Sequence, residues 1–151
     1  MKAASRGPDI VGIGASLYDL VLDASEYPRE DTKLRVDAQS FHCGGPAATG
    51  IVAASRLGAS TAFLGVFSDD TYSKAMLDDF ARYRVDTSRS PIKPGLTGGS
   101  AIVINSRKTS SRTILWTRGT VPSLSPEEVP VGCIAESRML YLDGNLSLIH
   151  I

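Results

Sequence analysis

Short apolar runs separated by polar turns recur along the chain and indicate its secondary structure. The runs at 10–15, 61–67 and 139–143 are almost continuously apolar, which is typical of buried strands in a parallel sheet. The stretch 71–84 repeats apolar residues at helical spacing, and 46–57 is a run of small residues between Pro46 and Gly58. Proline favours the first turn of a helix and glycine its end. The alternation of strand and helix predicts βαβα units around a parallel sheet.

A second pattern interrupts the first. Apolar and polar residues alternate at 34–43, and two extended runs, 97–104 and 111–117, flank a polar connection. These features predict half-exposed strands in a small separate sheet. Ser125 followed by Pro126 predicts a helix start. The fold class is therefore α/β, a Rossmann-like, mainly parallel sheet with flanking helices plus a small β-sheet. The strand at 139–143 is followed only by a few residues that end in the short run 148–151. Because these cannot supply a further layer for the sheet, we expect a truncated chain.

Composition excludes several classes of function. The chain of 151 residues has 16 Lys and Arg against 16 Asp and Glu, so charge gives no reason to expect nucleic acid or a membrane surface as a partner. No apolar run has the length of a membrane span, and the first residues lack the apolar core of a signal peptide. Cys43 and Cys133 are too few for a disulfide scaffold. We expect a cytoplasmic protein.

The pair Gly44–Gly45 immediately before the predicted helix at 46–57 is the first candidate binding site. Glycines allow close approach of the backbone to a ligand, and a helix N-terminus presents N–H groups to the oxygens of a polar or anionic molecule. The alternative is a tightly packed, alanine-rich helix after a turn. Asp19 follows the first strand, and ligands gather at the carboxyl ends of such strands. Its carboxylate could accept hydrogen bonds from two hydroxyls, or it could cap a turn.

Other residues near these two are open to two interpretations. Gly12 and Gly14 suggest a dinucleotide-binding turn, but the third glycine of that motif would fall on Leu17, so we set the motif aside. His42 could contact a ligand or be a surface imidazole, since no partner is spaced for a metal site. Cys43 could be a reactive thiol or a small packing residue.

Four groups of residues follow one another in a fixed order. The first is the strand at 10–15 with Asp19, and the second is the glycine-rich stretch 44–58. The third is the turn 65–70, and the last comprises 85–88, Thr97, 112–113 and 124–128. Together they resemble the N-terminal half of a ribokinase-like (PfkB-type) carbohydrate kinase, in which the turn has the pattern G-x-x-G-D-D. The resemblance covers about residues 10–144.

This resemblance implies a function. Such kinases transfer a phosphoryl group from ATP, with Mg²⁺, to a hydroxyl of a sugar or sugar acid. Asp19 and the Gly44–Gly45 backbone would hold the hydroxyls of this small-molecule substrate. Strands within 34–43 and 97–117 would form a lid that closes over the sugar and excludes water. In many members the lid also forms a homodimer interface.

The sequence departs from the family at several positions. Thr49 stands where the family usually has an asparagine, so the usual contact to a sugar hydroxyl is altered. Ser68 and Ser73 replace common glycines. Arg118 lies where members that accept keto-sugar acids have a substrate arginine, and could clamp a carboxylate or phosphate or simply be solvated.

The family's G-A-G-D motif, with the catalytic aspartate, is not found, so we expect the catalytic residue beyond residue 151. Residues 1–151 would then be the N-terminal part of the kinase domain without its C-terminal nucleotide-binding and catalytic half. They would not bind ATP or Mg²⁺ alone and would be catalytically incomplete. Two alternatives stay open: a nucleoside kinase of the same fold, and a non-catalytic sugar-binding or dimerisation module. A dehydrogenase fits the glycine spacing poorly.

Overall fold

A computed structural model describes residues 7–144 of the chain. The expectation about the chain end at 148–151 lies outside these residues. The strands and helices, in chain order, are β1 (Ile10–Ile13), β2 (Leu17–Ala24), β3 (Ala38–Gly44), α1 (Pro46–Arg56), β4 (Thr61–Leu64), α2 (Thr71–Arg82), β5 (Val85–Asp86), β6 (Ser100–Ser106), β7 (Ser111–Thr117), α3 (Val131–Ala135) and β8 (Met139–Leu142).

The main sheet has the strand order β5-β4-β1-β8, and every pairing in it is parallel. This confirms the predicted parallel sheet built from the three apolar runs. Helix α1 begins at Pro46 and is followed by Gly58 with a φ of 98°, a left-handed conformation that glycine adopts without strain. Helix α2 is capped by Asp70, whose carboxylate accepts a hydrogen bond from the Ser73 N–H.

Successive side chains of a strand point to opposite faces, and at β1 and β4 both faces of the main sheet are covered. The edge strand β8, predicted as a buried strand, is instead exposed along its length. On one face Phe63 packs in a cluster with Ile51 of α1 and Phe80 of α2. A Cβ at Gly12 would overlap the Ile51 side chain of α1, so the glycine allows this helix to pack closely against the sheet. On the other face Val11 and its neighbours pack against Cys133, Leu124 and Val129 from the segment before β8.

The second sheet has the order β3-β2-β6-β7, with β2 antiparallel to β3 and parallel to β6. The predicted separate sheet is confirmed, but β2, one of its two central strands, was missed. Asp19 does not lie in the loop directly after β1, as predicted; it lies inside β2. Most of β2 is half-buried on both faces. Its sequence therefore lacks the clean apolar–polar alternation by which such strands are predicted.

Other predicted boundaries were wrong by several residues. Residues 34–37 precede β3, and 65–67 lie beyond β4. The helix expected at Ser125 is a single 3₁₀ turn, Pro126–Glu128. Pro130 explains the stop, because the residue before a proline disfavours helical backbone; α3 begins only after it. No helix between residues 7 and 144 is long and apolar enough to span a membrane.

Candidate functional site

Asp19 and Gly44 lie side by side at the base of the second sheet. Leu17 pairs directly with Gly44, and Asp19 with His42. A Cβ at Gly44 would lie 2.6 Å from Oδ2 of Asp19, so only a glycine leaves room for the carboxylate in this position. The sequence predicted these two residues in one site, and the structure brings them together.

The Asp19 carboxylate is partly desolvated and has an unused acceptor. Its Oδ1 is buried and has no hydrogen-bond partner among the described residues. Burial raises the pKa of this carboxyl above its ordinary value, while the charge of His42 acts in the opposite direction. A buried polar atom is normally hydrogen-bonded. Oδ1 is therefore an acceptor that lacks a donor among the described residues.

Gly45 connects β3 to α1 in a conformation that other residues rarely adopt. Its φ is 104°, and a Cβ there would overlap the carbonyl oxygen of Ala15. The chain thus turns sharply between the two sheets, as the glycine pair predicted.

The N-terminus of α1 is not open to a ligand in the way the sequence suggested. Oδ2 of Asp143 accepts hydrogen bonds from the backbone N–H groups of Ala47, at 3.2 Å, and Ala15, at 2.9 Å. A carboxylate at this position also interacts favourably with the helix dipole. One of the N–H groups predicted to be free at this helix N-terminus, that of Ala47, is therefore occupied by the protein's own side chain.

Asp143 is the polar residue of this region that sequence reasoning missed. It directly follows β8 at the carboxyl edge of the main sheet and is 7% exposed. The rule that ligands and polar residues gather at this edge could have indicated it, since Asp143 follows an apolar strand in the same way that Asp19 was expected to.

Two cavities border the crossings between the sheets, and three of the predicted site residues line them, whereas Asp19 and Gly45 belong to neither lining. Arg118 and Trp116 line a cavity of about 140 Å³ together with the segment 14–17. Thr49 and Gly44 line another of about 470 Å³, between β3 and the two long helices. Ser16 borders both. The structure therefore does not bring Thr49 and Arg118 into one cavity.

Arg118 lies just beyond β7 and is exposed. Its Nη1 donates a hydrogen bond to Oγ of Ser123, 2.9 Å away. Because a guanidinium has five N–H donors, this bond leaves others for a carboxylate or phosphate. The position of Arg118 is compatible both with binding a carboxylate or phosphate of a ligand and with a side chain that is simply solvated.

His42 and Cys43 have ordinary surroundings. His42 is exposed, with Nε2 2.9 Å from Oγ of Ser40. The Cys43 thiol donates to the carbonyl oxygen of Ala75, and burial, followed by the charges of Asp79 and Asp19, raises its pKa to about 11. A thiol with this pKa stays protonated near neutral pH, which favours the packing role over a reactive one.

The region contains several groups that can make hydrogen bonds. Carboxylate oxygens, backbone groups next to glycines and one arginine are present. Between residues 7 and 144 no group of three or more His, Cys, Asp and Glu side chains is arranged to hold a metal ion.

Comparison of the sequence with protein-family models matches residues 8–150 to the pfkB family carbohydrate kinases. The chain is 34% identical over 143 residues to the 5-dehydro-2-deoxygluconokinase of Bacillus licheniformis, covering 90% of this chain and 41% of that protein. It is 30% identical over 122 residues to the deoxyribokinase of Salmonella typhi, covering 80% and 39%. The chain thus spans less than half the length of the curated relatives it matches.

Solved structures share the fold at lower identity. A ribokinase of Arabidopsis thaliana, solved in complex with ribose and ATP, superposes with a TM-score of 0.77 at 16% identity, covering 92% of this chain and 46% of that one. A fructokinase of Xylella fastidiosa gives 0.70 at 21% identity, covering 88% and 41%. At these identities the likeness concerns the fold.

Proposed function

Because this chain belongs to the pfkB family of carbohydrate kinases, we propose that its protein transfers the γ-phosphoryl group of ATP to a hydroxyl of a sugar or sugar acid. Residues 1–151 supply the sugar-binding side. In this proposal Asp19 accepts hydrogen bonds from substrate hydroxyls, and the backbone at Gly44 and Gly45 approaches the same molecule. Thr49 and Arg118 contribute from the two neighbouring cavities.

The observation that carries the proposal is the buried, unpartnered Oδ1 of Asp19 beside Gly44. A charge-assisted hydrogen bond to such an oxygen contributes about 1.5–3 kcal/mol. The desolvation that raises the pKa of this carboxyl also strengthens its electrostatic contacts with a ligand. A sugar offers several hydroxyl donors on one small molecule, which suits this acceptor.

The relatives and Arg118 support two candidate substrate classes, neutral sugars and sugar acids. Among the relatives are a deoxyribokinase, a ketohexokinase and a 5-dehydro-2-deoxygluconokinase. If the substrate is the sugar acid, the planar guanidinium of Arg118 can bind its carboxylate. A neutral sugar leaves that side chain solvated, so Arg118→Ala separates the two: it weakens binding of the acid and spares binding of deoxyribose.

The proposal places the catalytic aspartate and most contacts to ATP and Mg²⁺ outside residues 1–151. Loss of a general base alone lowers a rate by about 10²–10⁴-fold, and loss of an anion-stabilising site adds to this. The purified chain should therefore show no phosphate transfer from ATP to any sugar. Turnover at ordinary kinase rates by residues 1–151 would contradict this placement.

The test of the binding role is calorimetric titration with deoxyribose, ribose, fructose and 5-dehydro-2-deoxygluconate, with adenosine to probe the nucleoside alternative. Asp19→Ala should weaken sugar binding by about 10- to 100-fold. A carboxylate with a purely structural role in β2 would behave differently: its loss would lower the melting temperature and leave the affinity unchanged. Adenosine bound in preference to every sugar would favour the nucleoside kinase.

We also propose that the second sheet is a lid over the sugar and the surface of a homodimer. Leu20, Phe41, Ile102 and Leu115 are aligned across its four strands, and Phe41 is 56% exposed. A second copy could cover this row with the same residues. Sedimentation analysis should show a dimer that Phe41→Asp dissociates. A monomer at all concentrations would refute this part and leave the sugar site untouched.

A further inference from the structure

Asp143 joins two connections between the sheets. One of its hydrogen-bond donors, the N–H of Ala15, lies on the connection from β1 to β2, four residues before Asp19. The other, the N–H of Ala47, lies in the first turn of α1, directly after the connection from β3. The same carboxylate oxygen thus contacts both segments that lead to the proposed sugar-binding residues.

The packing at this junction leaves no room for adjustment. A Cβ at Gly14 would overlap the Asp143 carboxylate and lie 2.6 Å from the Cβ of Ala47. The N–H of Asp143 lies 3.4 Å from the carbonyl oxygen of Ile13, which extends the pairing of β8 with β1 and fixes the residue in register. Because these groups are in close contact, displacing the carboxylate displaces both connections.

We propose that Asp143 is a positioning residue: its carboxylate fixes the connections β1–β2 and β3–α1 relative to each other. In this way it places Asp19 and the Gly44–Gly45 backbone correctly over the main sheet for sugar binding. The inference rests on the proposed sugar-binding function. Asp143 acts through the backbone at Ala15 and Ala47 and makes no substrate contact of its own in this scheme.

The chain offers a matched control at the other end of the same sheet. Asp9 accepts hydrogen bonds from the N–H and the hydroxyl of Ser60, and so joins the start of β1 to the start of β4. Both aspartates flank a strand of the main sheet and accept hydrogen bonds from backbone N–H groups, two at Asp143 and one at Asp9. Asp9, however, lies at the amino ends of the strands, away from Asp19. A variant that affects stability alone should resemble Asp9→Ala.

The experiment compares Asp143→Ala, Asp143→Asn and Asp9→Ala by thermal melting, by ¹⁵N–¹H spectra and by titration with the four sugars. We expect Asp143→Ala to shift the amide signals of Asp19 and Gly44 and to weaken sugar binding by about 10-fold or more. Asparagine keeps an acceptor oxygen for the two N–H groups and should restore affinity to within about threefold of the wild type. Asp9→Ala should lower the melting temperature and change neither signal nor affinity.

Several results would overturn the inference. One is a destabilised Asp143→Ala with unchanged affinity and unchanged signals at Asp19 and Gly44, which is the behaviour of a simple cap. Another is an Asp143→Asn protein with wild-type melting and signals but tenfold weaker binding, because the carboxylate would then contact the sugar directly. If Asp143→Ala does not fold, Asp143→Ser, whose hydroxyl is too short to reach both N–H groups, takes its place with the same expectations. A wild-type chain that binds none of the sugars refutes the proposed function, and the amide signals then decide the positioning role separately.

Discussion

The two sheets of this molecule are stabilised in different ways. In the main sheet Val11, Phe63 and the nearby Phe67 are 0% exposed, and helices or loops cover both faces of β1 and β4. Among the described strands of this sheet, only the edge strand β8 is exposed along its length. In the second sheet large apolar side chains are exposed, among them Leu115 at 53% and Trp116 at 62%. These two residues are adjacent in β7 and so point to opposite faces.

This difference indicates a division of roles. Burial of apolar surface stabilises the main sheet. The second sheet depends on its strand pairing and on the connections at its base, where the chain passes through glycines such as Gly45 and Gly98. Substitutions in the main sheet should therefore lower stability, whereas those in the second sheet should mainly alter what its two faces bind.

The largest expected effect tests this contrast directly. The Phe63 ring stacks on Phe80 with centroids 4.6 Å apart. Phe63→Ala should lower the free energy of unfolding by about 3–5 kcal/mol, because it leaves a cavity in a closed core. Trp116→Ala should change it by about 0.5 kcal/mol or less, as is usual for exposed residues. Urea unfolding measures both. Equal losses would show that the second sheet is buried in solution, as in a tight dimer.

Substitution of Asp70 should have an intermediate effect on the free energy of unfolding, because its carboxylate contacts both α2 and the segment that leads into the second sheet. Its Oδ1 caps α2, and its Oδ2 accepts a hydrogen bond from the N–H of Gly98, just before β6. Asp70→Ala should lower the free energy of unfolding by about 1–3 kcal/mol. It should also speed hydrogen exchange at the Gly98 amide. Asp78→Ala, at an exposed position of the same helix, is the control and should do neither.

The pH dependence of this effect has a definite sign. Burial acts to raise the pKa of Asp70, but the hydrogen bonds from Ser73 and Gly98 outweigh it and lower the pKa below its ordinary value. The carboxylate therefore stabilises the fold above that ordinary value, and this contribution is lost as the pH falls through the lowered pKa. The difference between wild type and Asp70→Ala should shrink in acid. A difference that grows in acid would contradict the assignment.

Hydrogen bonds of Ser68 and Ser73, on either side of Asp70, explain how the turn forms without glycines at these positions. Ser68 and Ser73 replace glycines that are common in the family, yet the turn forms. The N–H of Ser68 donates to Oγ of Ser73, and the Ser68 hydroxyl donates to the carbonyl oxygen of Leu96. Both serines are buried. The hydrogen bonds of their hydroxyl groups therefore stabilise the segment that leads into the second sheet.

Asp19 should show the opposite pH dependence. Its pKa is raised by burial, so the folded chain binds the proton more tightly than the unfolded chain. Stability is then lost as the pH rises from the ordinary value of 3.8 through the raised one. Asp19→Asn should consequently melt above the wild type at neutral pH, with the difference vanishing in acid, while sugar binding falls. A lower melting temperature at neutral pH would indicate a structural role.

The sequence predicted the main sheet well and the second sheet less well, for a physical reason. Buried parallel strands and a proline-initiated helix are specified by local patterns, as at 61–67 and Pro46. Strand β2 is half-covered on both faces, so its pattern is indistinct. The role of Asp143 depends on partners 96 and 128 residues away in sequence, which no local spacing indicates.

The smallest effect is expected at the far end of the second sheet. Lys108 pairs with Glu26 there, and both side chains are largely exposed, at 65% and 41%. The hydrogen bond from Lys108 lowers the pKa of Glu26, so any stabilisation is present above the ordinary value and is lost as the pH falls. Water and salt screen exposed pairs strongly. Glu26→Gln should therefore change the melting temperature barely at low salt and not at all at high salt, with sugar affinity unchanged in titration. A clear loss that persists at high salt would mean that this end of the sheet is covered in solution, and the contrast between the two sheets would then be weaker than the exposed side chains indicate.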